Sequence, residues 1–203
     1  VENPARQIVL MGIGFETTAP TVASAVLSAR RKGVGNFSVF SVHKTVPQVI
    51  RALIGDRSLN IDGFICPGHV SVITGVGAYE MIPQAGRAAV ITGFEPADIA
   101  EGILMLLRLI MEGRFEVAIQ YARGVKEQGN ARAREVMAEV FEPSDADWRG
   151  LGVIPGSGLR IRREFESFDA LRRFPLPEIR SVEFNGCRCG EVLRGVISPA
   201  QCG

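Results

Sequence analysis

Three of the four cysteines lie close together near the C-terminal end of the chain. Cys187 and Cys189 form a Cys-x-Cys pair, and Cys202 follows in the same segment. Cysteine thiolates bind soft metals and iron–sulfur clusters, so the segment offers three ligands. Structural zinc sites and cubane clusters usually take four protein ligands, so the set is one short. Thiols without a metal are the alternative, because a Cys-x-Cys pair alone is a weak signal.

The chain has two histidines, and each follows a segment that is predicted to be a strand. His43 and His69 can act there as an acid, a base, a metal ligand or a donor to loop backbone, and the sequence leaves these roles open. Glu16 and Glu95 both end a Gly-Phe-Glu string after a predicted strand. Carboxylates near a helix start are also ordinary partners of the helix dipole. The residue types therefore indicate a polar rim without fixing its chemistry.

Cys66 and the glycines after the first predicted strand are better explained by packing than by chemistry. Cys66 ends a predicted buried strand, where a small apolar thiol packs well. Gly12 and Gly14 suit a turn, but their string completes neither the GxGxxG nor the GxxxxGK[ST] phosphate-binding pattern. A nucleotide site is therefore disfavoured.

Short apolar strands alternate with helices along the first part of the chain. Four strands are predicted, each followed by a helical segment, at residues 7–13, 36–42, 61–66 and 88–92. The best-patterned helix covers residues 97–112. Because this alternation is typical of a parallel sheet covered on both faces, we predict a three-layer α/β/α fold with a mostly parallel, Rossmann-like sheet.

The polar residues of the strand-to-helix loops are all predicted to lie at one end of that sheet. Ligands of such sheets bind beyond the carboxyl ends of the strands, where these loops converge. The candidate cleft residues are Glu16, Thr17, Thr18, His43, Lys44, His69 and Glu95. We predict that they line one cleft, and we assign a catalytic role to none of them.

The second part of the chain is less regular. Helices are predicted over residues 115–125 and 131–140, with Gly129 as a stop and Asn130 as an N-cap. The Gly-rich segment 150–159 is predicted to be a strand interrupted by a loop.

A proline-containing segment at residues 174–177 is the expected domain boundary. It divides the chain into an α/β domain, residues 5–174, and an irregular cysteine-bearing segment, residues 175–203.

The composition excludes several classes of protein. A chain of 203 residues with 46% hydrophobic residues suits a globular domain, alone or with an appendage. Its 23 Lys and Arg balance 22 Asp and Glu, which leaves no general attraction for nucleic acid or an anionic membrane. No apolar run of about 18 residues occurs, and the first residues lack the order of a signal peptide. We therefore expect a cytoplasmic protein without nucleic-acid or membrane partners.

Seven strings occur in one order along nearly the whole chain. They are Gly14-Phe15-Glu16-Thr17-Thr18-Ala19-Pro20, His43-Lys44 with Pro47, Pro67-Gly68-His69-Val70-Ser71, Gly93-Phe94-Glu95-Pro96, Gly129-Asn130, Gly152 with Ile154-Pro155 and Ser157-Gly158-Leu159, and Cys187-Arg188-Cys189-Gly190 with Pro199 and Cys202. Together and in this order, the seven strings are specific enough to point to one protein family. Through them the chain resembles the HypD family of hydrogenase maturation factors.

The resemblance implies an assembly scaffold rather than a turnover enzyme. Such a scaffold holds an iron that carries cyanide and carbon monoxide, Fe(CN)2CO, for [NiFe]-hydrogenase, together with HypC-like and HypE-like partners. The resemblance also implies a [4Fe-4S] cluster near the C-terminus. Cys187 and Cys202 match its first two ligands, and Cys189 is the weaker match. The other two cluster cysteines are expected beyond Gly203.

Two cysteine motifs of the family, Cys-Gly-Thr-His and Cys-Pro-x-Cys, are absent from the chain. The chain therefore resembles the middle α/β domain with part of the cluster domain, and we expect neither the iron site nor the cluster to be complete in it. In the whole protein, the cleft residues are expected to supply hydrogen bonds and charge near the cyanides. A partner-docking module and a small-molecule-binding module, both without metal chemistry, are the alternatives.

Overall fold

A computed structural model describes residues 3–177 and 186–202 of the chain. The strands in these ranges are β1 (Ile8–Gly12), β2 (Phe37–Ser41), β3 (Gly63–Pro67), β4 (Ala88–Thr92), β5 (Val117–Ile119), β6 (Phe141–Trp148) and β7 (Gly152–Ile161). The α-helices are α1 (Ala19–Arg31), α2 (Val46–Ile54), α3 (Gly68–Thr74), α4 (Met81–Gln84), α5 (Pro96–Met111), α6 (Ala131–Val140), α7 (Ala170–Arg173) and α8 (Cys189–Leu193). Short 3₁₀ helices cover Val76–Tyr79, Arg163–Phe168 and Pro199–Gln201.

Local sequence explains where several helices begin. Helices α1, α2 and α5 each have a proline in the first turn, where its missing N–H costs no helical hydrogen bond. Helix α6 begins at Asn130, whose side-chain oxygen accepts a hydrogen bond from the Ala133 N–H at 3.0 Å. Gly129 precedes it with a φ of 64°, a conformation that glycine adopts without strain. The predicted N-cap is thus confirmed.

The predicted α/β class with parallel strands is confirmed, and the parallel strands form two sheets. Strands β1 and β2 pair in parallel, and β3, β4 and β5 form a second parallel sheet with β4 in the centre. The second edge of β2 is bridged at Val39 by Asp169, just before α7, so β3 does not pair with it. A third, antiparallel pair consists of β6 and β7.

The second part of the chain differs from the predictions in three places. Residues 115–125 are not helical: Val117 and Ile119 are β-branched and pair with β4 as strand β5. Strand β6 was not predicted, because its Glu-Pro-Ser-Asp string is typical of a helix stop. Its partner β7 runs through the Gly-rich segment, and the predicted interruption is a register shift in the pairing with β6 between Ile154 and Gly158 rather than a loop.

The buried side chains form separate cores beneath the two parallel sheets. One core packs α1 and α6 against the β6–β7 pair around Phe141. The other packs around Tyr79 and Ile91 and includes Cys66, which is fully buried. Burial raises the pKa of the Cys66 thiol to about 12, so it is a neutral core side chain, in line with the packing interpretation.

Candidate functional site

A cleft of about 420 Å³ lies where the ends of β1, β3 and β4 meet. We call it the His69 cleft. Its lining residues are Phe15, Thr17, Val46, Pro67, His69, Val70 and Phe94. Loops from both parallel sheets therefore contribute to one opening, at the carboxyl ends of the strands.

Glu16 lies between two of the lining residues and is itself only 2% exposed. Its Oε1 atom accepts a hydrogen bond from the Val46 N–H at 2.9 Å, at the start of α2, whereas Oε2 is buried without a partner. Burial raises the pKa of Glu16 from 4.5 to about 7, against the lowering effect of its backbone hydrogen bonds. The carboxyl beside the cleft is therefore close to half protonated at neutral pH.

His69 is exposed and lies between two aromatic rings. Its ring centroid is 4.7 Å from that of Phe94 and 5.9 Å from that of Tyr121, which meets it edge-on. The Arg123 guanidinium in turn lies 4.5 Å from the Tyr121 ring centroid. These contacts restrict the imidazole to one side of the cleft while leaving it accessible.

A hydrogen-bonded group behind Tyr121 fixes the loops after β4 and β5 relative to each other. Arg123 donates two hydrogen bonds to Asp98, at 2.8 and 2.6 Å, and Gln120 donates a third at 2.9 Å. The Gln120 side chain also accepts from the Gly93 N–H at 3.2 Å. The bonds from Arg123 and Gln120 lower the pKa of Asp98 to about 2, so it is ionised. Glu95 is exposed, with Oε1 3.9 Å from Arg123.

His43 and Lys44 line a second pocket, of about 230 Å³, against the β6–β7 pair. His43 is 1% exposed; its Nδ1 lies 3.1 Å from the Ser41 hydroxyl, and its Nε2 is buried without a partner. Burial lowers the pKa of His43, which favours the neutral ring. The Lys44 ammonium donates to the Asp147 carbonyl and lies 4.9 Å from the Trp148 ring centroid.

The seven predicted cleft residues thus divide between two pockets. Thr17 and His69 line the His69 cleft with Glu16 beside it, whereas His43 and Lys44 belong to the second pocket. Phe15, which lines the His69 cleft, stacks on Trp148 beside the second pocket, with the ring centroids 6.2 Å apart.

The other two predicted residues lie at the margins. Thr18 hydrogen-bonds within its own loop, to the Phe15 carbonyl at 3.2 Å. Glu95 is not among the lining residues of the cleft and lies 3.9 Å from Arg123. Sequence reasoning missed Asp98, Gln120 and Arg123, because ordinary helix and loop residues give no signal of a shared ion pair.

The cysteine segment brings two of its thiols into contact. Cys187 Sγ lies 3.2 Å from Cys189 Sγ, and both residues are partly buried, as is Cys202. Hydrogen bonds from Cys189 and the nearby Arg149 charge lower the pKa of Cys187, whereas the pKa of Cys189 is raised, first by Cys187 and then by burial.

These thiols do not make a complete cluster site. Across residues 3–177 and 186–202, no group of three or more His, Cys, Asp or Glu has an arrangement that could hold a metal ion. The donors present here therefore do not fit a four-ligand cluster.

Backbone contacts fix the cysteine segment on the α/β part. Asn60 donates its N–H to the Arg194 carbonyl at 2.7 Å, and Arg194 lies 3.3 Å from Asp56. Gly190 meets Gly150 so closely that a Cβ on either residue would overlap the backbone of the other. The position of residues 190–194, next to the thiols, is therefore set by contacts with residues 56, 60 and 150.

A family model named HypD, described as "Hydrogenase formation hypA family", matches residues 1–203. The chain belongs to the HypD family. The hydrogenase maturation factor HypD of Rhodobacter capsulatus is 44% identical over 206 residues, which cover 98% of this chain and 55% of that protein. HypD of Azotobacter vinelandii is 43% identical over 208 residues, 99% of this chain and 55% of that protein. The chain spans about half the length of the curated HypD relatives it matches.

The strings that resemble HypD coincide with the walls of the His69 cleft. Residues 14–20, 67–71 and 93–96 supply six of its seven lining side chains. No helix in the part of the chain that the structure describes is long and apolar enough to cross a membrane.

Proposed function

We propose that this chain forms part of a HypD scaffold on which Fe(CN)2CO is assembled for [NiFe]-hydrogenase, in the cytoplasm and with HypC-like and HypE-like partners. The observation that supports this most is the 44% identity to a hydrogenase maturation factor across 98% of the chain. The role is that of a scaffold for an iron cargo rather than of a turnover enzyme.

The His69 cleft is the surface that we assign to this cargo. Cyanide nitrogens accept hydrogen bonds, and the exposed Thr17 hydroxyl and His69 imidazole can both donate them. The raised pKa of Glu16, about 7, keeps the negative charge beside the cleft low. An anionic ligand is repelled less by a half-protonated carboxyl than by an ionised one.

A [4Fe-4S] cluster is proposed only for the whole family protein. Cys187 and Cys202 are its proposed ligands within this chain, and Cys189 is a weaker candidate. A cubane takes four ligands, and we propose that the other two lie beyond Gly203 in the whole protein. No step of the proposed role in this chain depends on the cluster.

The cargo proposal is tested in the full-length Rhodobacter capsulatus factor. His69→Ala removes a donor to the cargo, and Glu16→Ala removes the oxygen that accepts from the Val46 N–H beside the cleft. Both variants, made at the aligned positions, are expected to lower hydrogenase activity at least tenfold in a strain that lacks its own factor. Leu104→Ala at the aligned position is the matched control, because Leu104 lies on the exposed side of α5. Undiminished activity in both cleft variants, at equal protein levels on an immunoblot, would sink the proposal.

A partner-docking module without metal chemistry is the second candidate, favoured by the incomplete ligand set in the described residues. Anaerobic reconstitution of this chain with iron and sulfide is expected to give no stable visible absorption. A stable absorption that disappears in the Cys187→Ser and Cys202→Ser variants would rule this candidate out.

A further inference from the structure

Strand β1 is apolar and exposed on both faces. Four of its side chains are exposed by 37% to 54%, namely Ile8, Val9, Leu10 and Met11. The first four residues of the central strand β4, by contrast, are 0% exposed. Long apolar edge strands are usually protected by a charge, a proline, a bulge or a covering element, because an open edge pairs with other chains. Strand β1 contains no charged residue and no proline.

One edge of β1 is open in the part of the chain that the structure describes. Within residues 3–177 and 186–202, β1 pairs only with β2. The Ile8 N–H donates to the Asn36 carbonyl at 2.8 Å, and the Gly12 carbonyl accepts from Val42 at 2.9 Å. In a parallel pair, every second residue of a strand directs its N–H and C=O groups to the neighbouring strand, and the residues in between direct theirs to the opposite edge. The N–H groups of Val9 and Met11 therefore point to the open edge.

A cavity lies on each face of the sheet beside this edge. The first, of about 560 Å³, is on the α1 side; its apolar lining residues are Ile8, Ala25, Ala29, Val34 and Phe37, and Asn3, Ser28, Lys32 and Asn36 lie at its rim or wall. The second, of about 280 Å³, is lined by Val9, Met11, Phe40, Ala170, Phe174 and Leu176. A strand sends alternate side chains to opposite faces, so one added strand supplies side chains to both cavities.

We infer that the open edge of β1 is completed by an apolar β-strand from the part of the longer HypD chain that lies outside these 203 residues. The match covers only 55% of the Rhodobacter capsulatus factor, so ample further chain exists in the relatives. A strand of about five residues is enough to pair with β1. Main-chain hydrogen bonds to Val9 and Met11 give such pairing its affinity, and the apolar lining of the second cavity selects apolar side chains on that face.

Hydrogen exchange in two proteins tests this inference without reference to hydrogenase activity. The amides of Val9 and Met11 are expected to exchange at least 100-fold more slowly in the full-length Rhodobacter capsulatus factor than in this chain. Met11→Lys is expected to leave the melting temperature of this chain unchanged. At the aligned position it is expected to remove the amide protection in the longer factor. Leu104→Lys is the control, because Leu104 is 48% exposed and lies on α5, away from β1.

Two outcomes would overturn the inference. One is equal exchange of these amides in both proteins. The other is protection in this chain that rises with its concentration and is lost in Met11→Lys, since this would identify a second copy as the occupant. Either result leaves the proposed role of the His69 cleft untouched.

Discussion

The two parallel sheets use the same strand–loop–helix unit but differ in how completely they are covered. Strand β4 lies between β3 and β5, and its residues 88–91 are fully buried. Among the described residues, strand β1 pairs with β2 alone, and it exposes side chains on both faces. The His69 cleft takes residues from the ends of both sheets, so one wall follows a covered strand and the other an exposed one. The contrast therefore concerns the strands themselves, because the helices beside β2 pack into a core of their own around Phe141.

Two buried carboxylates near the cleft, one after each of these strands, differ in their pKa. Glu16, after β1, has a pKa raised to about 7 because burial outweighs its hydrogen bonds. Asp98, after β4, has a pKa lowered to about 2 because Arg123 and Gln120 donate to it. A carboxyl at a strand end thus takes its charge state from the partners that the local fold supplies.

The largest expected effect is the loss of stability from a side-chain truncation in β4. Ile91→Ala is expected to lower the free energy of unfolding by about 4 kcal/mol, because it leaves a cavity in a closed core. Met11→Ala, in the exposed strand β1, is expected to change it by less than about 1 kcal/mol. Urea denaturation of both variants measures the difference, and equal losses would remove the distinction between the sheets.

Glu16→Gln is expected to flatten the pH dependence of stability. The folded-state pKa of about 7 lies above the ordinary 4.5, so the folded state holds a proton that the unfolded state releases. Stability therefore falls as the pH rises from about 4.5 to about 7, by at most about 3 kcal/mol. Urea denaturation from pH 4 to pH 8 tests this.

The exposed Glu95 gives the matched control for that experiment. Glu95→Gln should retain the fall in stability, and a fall that persists in Glu16→Gln would refute the assignment to Glu16.

Asp98→Asn is expected to change the pH dependence in the opposite direction, because the depressed pKa of Asp98 stabilises the fold above about pH 4. That contribution is lost as the pH falls toward 2, the opposite sign to Glu16.

The smallest expected effect concerns the start of helix α6, which connects the two cores. The start of α6 is anchored on α3, where the Asn130 N–H donates to the Ile73 carbonyl at 3.1 Å, while its body packs on α1. Asn130→Ala is expected to cost about 1 kcal/mol through loss of the N-cap. Thr18→Ala should cost less, because the Thr18 side chain does not cap α1. Thermal unfolding of the two variants measures which substitution lowers the stability more, and a larger loss in Thr18→Ala would contradict this expectation.

Much of the fold follows from local pattern in the sequence. The first four strands, their helices and the loops that carry the polar residues are set by apolar runs, prolines and caps. The division into two sheets depends on the bridge from Val39 to Asp169, a contact between residues far apart in the chain. Strand β5 has three residues, too few to show a period. The Asp98–Arg123 pair depends likewise on the sheet bringing two loops together.

The contact between Gly150 and Gly190 limits how this protein can change over generations. A mutation to alanine at either position would force the two backbones apart, because the space for one methyl group is already filled. The thiols of Cys187 and Cys189, which lie next to Gly190, would then shift as well. Neighbouring surface positions can drift, whereas these two glycines are expected to persist as long as the placement of the cysteines is under selection.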